Sequence, residues 1–262
     1  MVENDILSKK KILDYLQNKN TDITIFKTVD STNSYLKRAS GEDTPEGTVV
    51  IAENQTSGRG RFTRKFYSPD GSGIYMSVLL KPAMKAVDAV LITAAAAVAV
   101  SEACENLSGK TTKIKWVNDV LIDSKKVCGI LCEGAINAQS GKLDRVILGI
   151  GINVYVPNGD FAPEIKNIAG AVFNAVQPDM RNRLIAEVLN RFNGYYKQLE
   201  ERTFLNGYRK RSAVIGKSVT VLRGDTKTQA TALEIDGDCR LLVEYTDKTR
   251  EYLSSGEVSV KL

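Results

Sequence analysis

Residues 57–78 read SGRGRFTRKFYSPDGSGIYMSV, and Arg59, Arg61, Arg64 and Lys65 fall within seven consecutive positions that hold no acid. Cations at that density repel one another unless an anion sits among them. Arginine can meet a carboxylate or a phosphate through two parallel hydrogen bonds. Gly58 and Gly60 would also let backbone N–H groups converge on the same anion. Alone, the stretch fits an anionic small molecule, a nucleic-acid backbone or a plain solvated loop.

Two other segments favour the small molecule. IKWVNDVLIDSKKVCGIL (114–131) combines Trp116, the Asn118–Asp119 pair and, across a turn, Lys126. GIGINV (149–154) carries Asn153 behind two glycines that permit close backbone approach. Each also has a plain structural reading, Trp116 as core and Asn118–Asp119 as a turn. The chain has no histidine, which excludes histidine-based triads, most zinc sites and the usual general base. Its four cysteines show no metal spacing, and Cys128 and Cys132 lie in apolar company, so reduced structural thiols are expected.

Familiar nucleotide fingerprints fail on inspection. GRGRFT (58–63) lacks the third glycine and the following helix of a dinucleotide motif. Gly216-Lys217-Ser218 has Arg211 where a phosphate loop needs glycine, and a strand follows it. Ala83-Met84-Lys85 resembles part of a carrier-domain lysine motif but directly follows Pro82, and reads as a surface lysine.

The elements that must position these residues follow from periodicity. Helices are expected over 8–18, from Ser31–Asn33 onward, over the alanine-rich 86–107, and over 179–200 and 201–211. Strands are expected over 21–29, 47–55, 74–82, 111–123 with a turn near Asn118–Asp119, 126–136 and 145–156. The uncharged apolar run 89–101 reads as a buried helix too short to span a bilayer. After residue 212 short strands alternate with turn signals, the pattern of a small β-barrel. The expectation is an α+β chain with one domain over 1–211 and a β domain over 212–262. Composition (43% hydrophobic, 26% charged, net charge +5) and an N-terminus without a signal-peptide core point to a soluble cytoplasmic protein with no membrane role.

DSTN (30–33), Q-x-x-GRGR (55–61), KWxND (115–119), K-x-x-GIL (126–131) and GIGIN (149–153) together resemble a biotin protein ligase across essentially the whole chain. The resemblance implies a mixed-sheet catalytic domain of the biotin/lipoate ligase type with an SH3-like C-terminal β-barrel. It implies two steps: biotin and MgATP give biotinyl-5′-AMP, and the acyl group then passes to a lysine of a biotin carboxyl carrier protein. Ser31, Thr32, Asn33 and Gln55 would line the biotin ring pocket, with Gly129 also on the biotin side. Arg59, Gly60 and Arg61 would cover the tail and phosphates. Lys126 would contact biotin's carboxylate and the α-phosphate, Arg61 would also face the adenylate, and these two would be catalytic. Arg64, Phe66, Trp116, Asn118, Asp119 and Asn153 would face the nucleotide, with Asp119 toward Mg²⁺. No permanently bound cofactor is implied, and a monomer or a homodimer is open. Because DSTN begins at residue 30, no DNA-binding domain is expected. The family's GRGRxGRxW and KWPND are altered by Thr63, Phe66 and Val117. The 58–65 segment is read as a mobile lid that shields the mixed anhydride, with Gly58 and Gly60 supplying mobility. Lipoate attachment and nucleic-acid binding remain as alternatives.

Overall fold

The computed structural model describes residues 5–62, 64–137, 139, 141–254 and 257–260. Helix α1 (Lys9–Tyr15) starts at Ser8, whose Oγ accepts the Lys11 N–H. Strands β1 (Ile23–Val29) and β2 (Val49–Gln55) pair in parallel, from Ile23↔Val49 to Val29↔Gln55. A parallel pair needs a crossover, and α2 (Thr32–Ala39) provides it. Strand β3 (Gly73–Leu80) is buried along its whole length, which is why its sequence does not alternate.

Helix α3 (Ala89–Ser108) is followed by β4 (Lys113–Lys115), β5 (Asp119–Ile122), β6 (Lys125–Ile136) and β7 (Leu143–Asn153). These strands complete a seven-stranded mixed sheet in the order β1-β2-β3-β7-β6-β5-β4. Helices α4 (Met180–Lys197) and α5 (Leu205–Lys210) follow, and α3 packs against the sheet, α4 and α5. Every residue of α3 from Leu91 to Ser101 is buried, as expected for a helix apolar on all faces. The length argument against a membrane span does not hold: with its preceding turn the helix covers 86–108 and is long and apolar enough to cross. Its burial inside the protein is what marks it as core.

The second sheet is antiparallel, built from β8 (Ser218–Arg223), β9 (Thr226–Ile235), β10 (Leu241–Tyr245), β11 (Arg250–Leu253) and β12 (Glu257–Val260), in the order β11-β10-β9-β8-β12. Its apolar face is continuous with the main core. Trp116 Nε1 donates to the Cys239 carbonyl at 2.9 Å, and the Tyr208 hydroxyl donates to the Val117 carbonyl at 2.9 Å. A buried indole or phenol needs such a partner, and here both partners hold the β4–β5 turn in place.

A buried charge cluster fixes the far end of β2. Arg181, with its side chain 5% exposed, meets Glu53 Oε2 at 2.5 Å and Asp5 Oδ2 at 3.4 Å. It also donates to the Gly73 carbonyl at 3.3 Å. Tyr155 donates to Asp5 Oδ2 at 2.6 Å. The cluster ties the N-terminal segment, the end of β2 and the start of β3 to α4.

Candidate active site

The open face of the main sheet carries a cleft of about 200 Å³. Its floor exists because of glycines on β6 and β7, where Gly129 pairs with Gly151 and Leu131 with Gly149. A Cβ at Gly149 would collide with Asn33 Oδ1, and one at Gly151 would stand 2.5 Å from the Phe66 ring. These glycines serve close approach. The Phe66 ring lies against both Gly151 and Gly129 rather than standing free.

The floor is a chain of neutral polar groups. Asn33 Oδ1 lies 2.5 Å from Ser77 Oγ, which lies 2.7 Å from Thr32 Oγ1. Gln55 Oε1 accepts the Thr32 N–H at 2.9 Å, and Gln55 Nε2 donates to Ser68 Oγ at 2.8 Å. Ser31 caps α2 by accepting the Ser34 N–H at 3.4 Å. Ser31, Thr32, Asn33 and Ser77 are all buried. Their positions are therefore set by folding, before any ligand arrives.

The mouth is cationic. Arg59, Arg61, Arg64, Lys65, Lys115 and Lys126 line it, against Asp119 as the single acid among the lining residues. Lys126 Nζ meets Asp119 Oδ1 at 2.7 Å with the lysine side chain 35% exposed, so water still reaches the pair and a phosphate can compete for the cation. Arg61 donates to Asn118 Oδ1 at 3.0 Å, while Asn118 Nδ2 donates to the Ile130 carbonyl at 2.8 Å. Arg59 meets Glu133 Oε1 at 3.0 Å. Tyr75 at the rear has its hydroxyl pushed well above the usual phenol range by burial, and it donates to the Pro69 carbonyl. It therefore stays protonated near neutral pH.

The basic segment folds back on itself as a small hairpin. Gly60 N–H donates to the Arg64 carbonyl at 2.8 Å and Phe66 N–H to the Gly58 carbonyl at 2.9 Å. The expectation that Gly60 frees its N–H for an anion is not met in this arrangement. Gly60 N–H is already used, and neither glycine has the left-handed backbone that glycine alone favours. A Cβ at Gly58 would collide with the Phe66 carbonyl, so tight packing requires that glycine. Thr63 lies outside the described residues.

Ser31, Thr32, Asn33, Gln55, Arg59, Gly60, Arg61, Arg64, Phe66, Trp116, Asn118, Asp119, Lys126 and Gly129 all line this one cleft. Two of the expected site residues are largely committed elsewhere. Asn153 is not among the lining residues and donates to the Gly170 carbonyl at 3.1 Å, tying β7 to the 165–172 segment. Trp116 is 3% exposed, with its N–H used by Cys239. Sequence reasoning missed Ser77, Glu133 and Leu222. Ser77 is the one polar residue in an apolar strand, and Glu133 keeps the two-residue alternation of Gly129 and Leu131; both were findable signals. Leu222 reaches the cleft from β8 and has no local signal. Among the described residues no group of three or more potential metal ligands occurs. Asp119 could contribute one oxygen to a magnesium ion that takes its other ligands from phosphates and water.

The family model described as the biotin/lipoate A/B protein ligase family matches residues 25–153, and the biotin protein ligase C terminal domain matches residues 214–261. The bifunctional ligase/repressor BirA of Bacillus spizizenii is 42% identical over 147 residues, 56% of this chain and 45% of that protein. The chain thus spans about half the length of the first curated relatives it matches. A biotin–[acetyl-CoA-carboxylase] ligase of Mycobacterium tuberculosis is 32% identical, covering 87% of this chain and 85% of that protein. The biotin protein ligase of Aquifex aeolicus, solved in complex with biotin and ATP, superposes with a TM-score of 0.75 at 28% identity, covering 92% of this chain and 98% of that one.

Proposed function

The chain belongs to the biotin protein ligase family, and from that premise we propose that it activates biotin with ATP and passes the biotinyl group to a lysine of a carrier domain. Biotin's carboxylate is an anion near neutral pH, so its attack on the α-phosphorus needs no histidine base. A C–O–P linkage forms, pyrophosphate leaves, and biotinyl-5′-AMP results. The demand on the protein is to hold two repelling anions together and neutralise the charge that grows between them. Lys126 and Arg61 meet that demand. Magnesium carried on the triphosphate, with Asp119 as a ligand, would offset the charge of the departing pyrophosphate. The 58–66 hairpin covers the mixed anhydride against water. The acceptor amine then attacks the acyl carbon, an amide forms, its nitrogen loses a proton, and AMP leaves.

One observation carries this reading: Lys126 Nζ sits over Gly129, beside the Phe66 ring, where the neutral polar floor meets the cationic mouth. A fused neutral ring with an anionic tail fits that polarity, and the tail ends where the phosphates would begin. The C-terminal domain match supports biotin over lipoate. Free Cys104, Cys128, Cys132 and Cys239 fit a reducing cytoplasmic setting. Incubation with ATP, magnesium, biotin and a biotin carrier domain should add one biotinyl group to the carrier's mass. Modification with lipoate but not with biotin would overturn the substrate assignment, and no gain with either would overturn the activity.

A further inference from the structure

An acid beside a site for anions needs a reason, because it repels the ligand unless a cation neutralises it. Glu133 is such an acid. Its side chain, 19% exposed, projects from β6 on the same face as Gly129 and Leu131. One carboxylate oxygen meets Arg59 Nη2 at 3.0 Å, and the other accepts from Asn33 Nδ2 at 2.9 Å. Asn33 continues through Ser77 and Thr32 to Gln55, and Gln55 donates to Ser68 Oγ, which lies 3.0 Å from the Phe66 carbonyl. The polar chain therefore leaves the hairpin at Arg59, crosses the whole floor and returns to the hairpin's other end. It is a closed circuit between lid and floor, and besides Arg59 its one charged side chain is Glu133, which joins the lid arginine to the neutral floor at Asn33.

We infer that Glu133 is a positioning residue, acting through Arg59 and Asn33, that couples filling of the floor pocket to retention of the hairpin over the acyl-phosphate. The inference rests on the ligase reading above. A carboxylate is required because both neighbours are donors: Arg59 offers only N–H groups, and Asn33 presents its amide nitrogen since its oxygen faces Ser77. Glu133→Gln keeps the shape but must turn an NH₂ toward one of two donors. The lid arginine is then released, or the Asn33 amide rotates.

The test is the rate at which pre-formed biotinyl-5′-AMP leaves the full-length chain in a filter or rapid-mixing assay without acceptor. It is run for wild type, Glu133→Gln, Arg59→Gln and the double variant, with thermal unfolding measured for each. Expected is an approximately tenfold faster release from Glu133→Gln, a similar rise for Arg59→Gln, and no further rise in the double variant, since both cut one link. Wild-type release from Glu133→Gln, or effects that multiply in the double variant, would overturn the coupling while leaving the ligase reading intact. Faster release from Glu133→Gln accompanied by an equal fall in Tm and by multiplication would also overturn it, as general loosening. A wild-type chain that forms no adenylate would overturn the ligase reading itself, and this inference with it.

Discussion

Two clusters of charge lie in this molecule and they are built in opposite ways. Around Arg181 one cation faces Asp5 and Glu53, all three side chains are at most 16% exposed, and a tyrosine and a backbone carbonyl complete the set. At the cleft mouth six cations line a surface with one acid, and the best-placed lysine is a third exposed. A matched and dry cluster spends its charges on itself. A wetter one with cations in excess, where Lys126 meets Asp119 and Arg59 meets Glu133 at partly exposed pairs, keeps charge available for something absent from the chain. The difference separates structural from functional charge without reference to residue type.

The largest effect is expected at the structural cluster. Arg181→Ala leaves Asp5 and Glu53 without their cation and should cost about 3–5 kcal/mol of stability, read by urea unfolding. A loss below ~1 kcal/mol would show that the cluster is not the anchor its burial suggests. At the mouth the expectation reverses. Lys126→Ala should slow single-turnover adenylate formation by at least ~10²-fold, because a preorganised cation is lost from the transition state. Its unfolding midpoint should stay close to wild type, since the pair it leaves is partly solvated. A large stability loss with wild-type adenylation would dissolve the contrast.

Some of this was legible from sequence and some was not. The cation-rich segment, the Asn118–Asp119 pair and Lys126 stand out because charge and amide groups at strand ends are conspicuous, and all line one cleft. The fold class followed from runs such as Ile23–Val29 and Gly73–Leu80, where β-branched and apolar residues leave one choice of element. Glu133 went unnoticed since an acid in an edge-like strand usually faces water, and only tertiary pairing to Arg59 and Asn33 gives it meaning. Asn153 is a polar residue in a conspicuous motif whose amide nitrogen, in this structure, donates to backbone carbonyls, a use that the motif does not announce. Gly58 and Gly60 advertise flexibility in sequence, yet the hairpin needs Gly58 for contact with the Phe66 carbonyl. Composition cannot tell these two uses of glycine apart.

Smaller effects sharpen the contrast between floor and mouth. Gly149→Ala would drive a methyl group into Asn33 Oδ1 and should weaken biotin binding by about tenfold by calorimetry, with ATP affinity nearly unchanged. Unaltered biotin affinity would mean that the ring does not sit on this floor. Raising salt from about 0.05 to 0.5 M should lower ATP affinity several-fold while binding of a neutral biotin ester changes little, as screening acts on the mouth alone. Equal salt sensitivity for both ligands would place the cations in contact with the ring as well.

The most direct measurement is a crystal structure of the chain with biotinyl-5′-AMP or a stable analogue bound. The account predicts the fused ring over Gly149 and Gly151, the acyl-phosphate within hydrogen-bond reach of Lys126 and Arg61, and the 58–66 hairpin across it. An adenylate bound away from Lys126, or lying open to solvent with the hairpin turned outward, would contradict it.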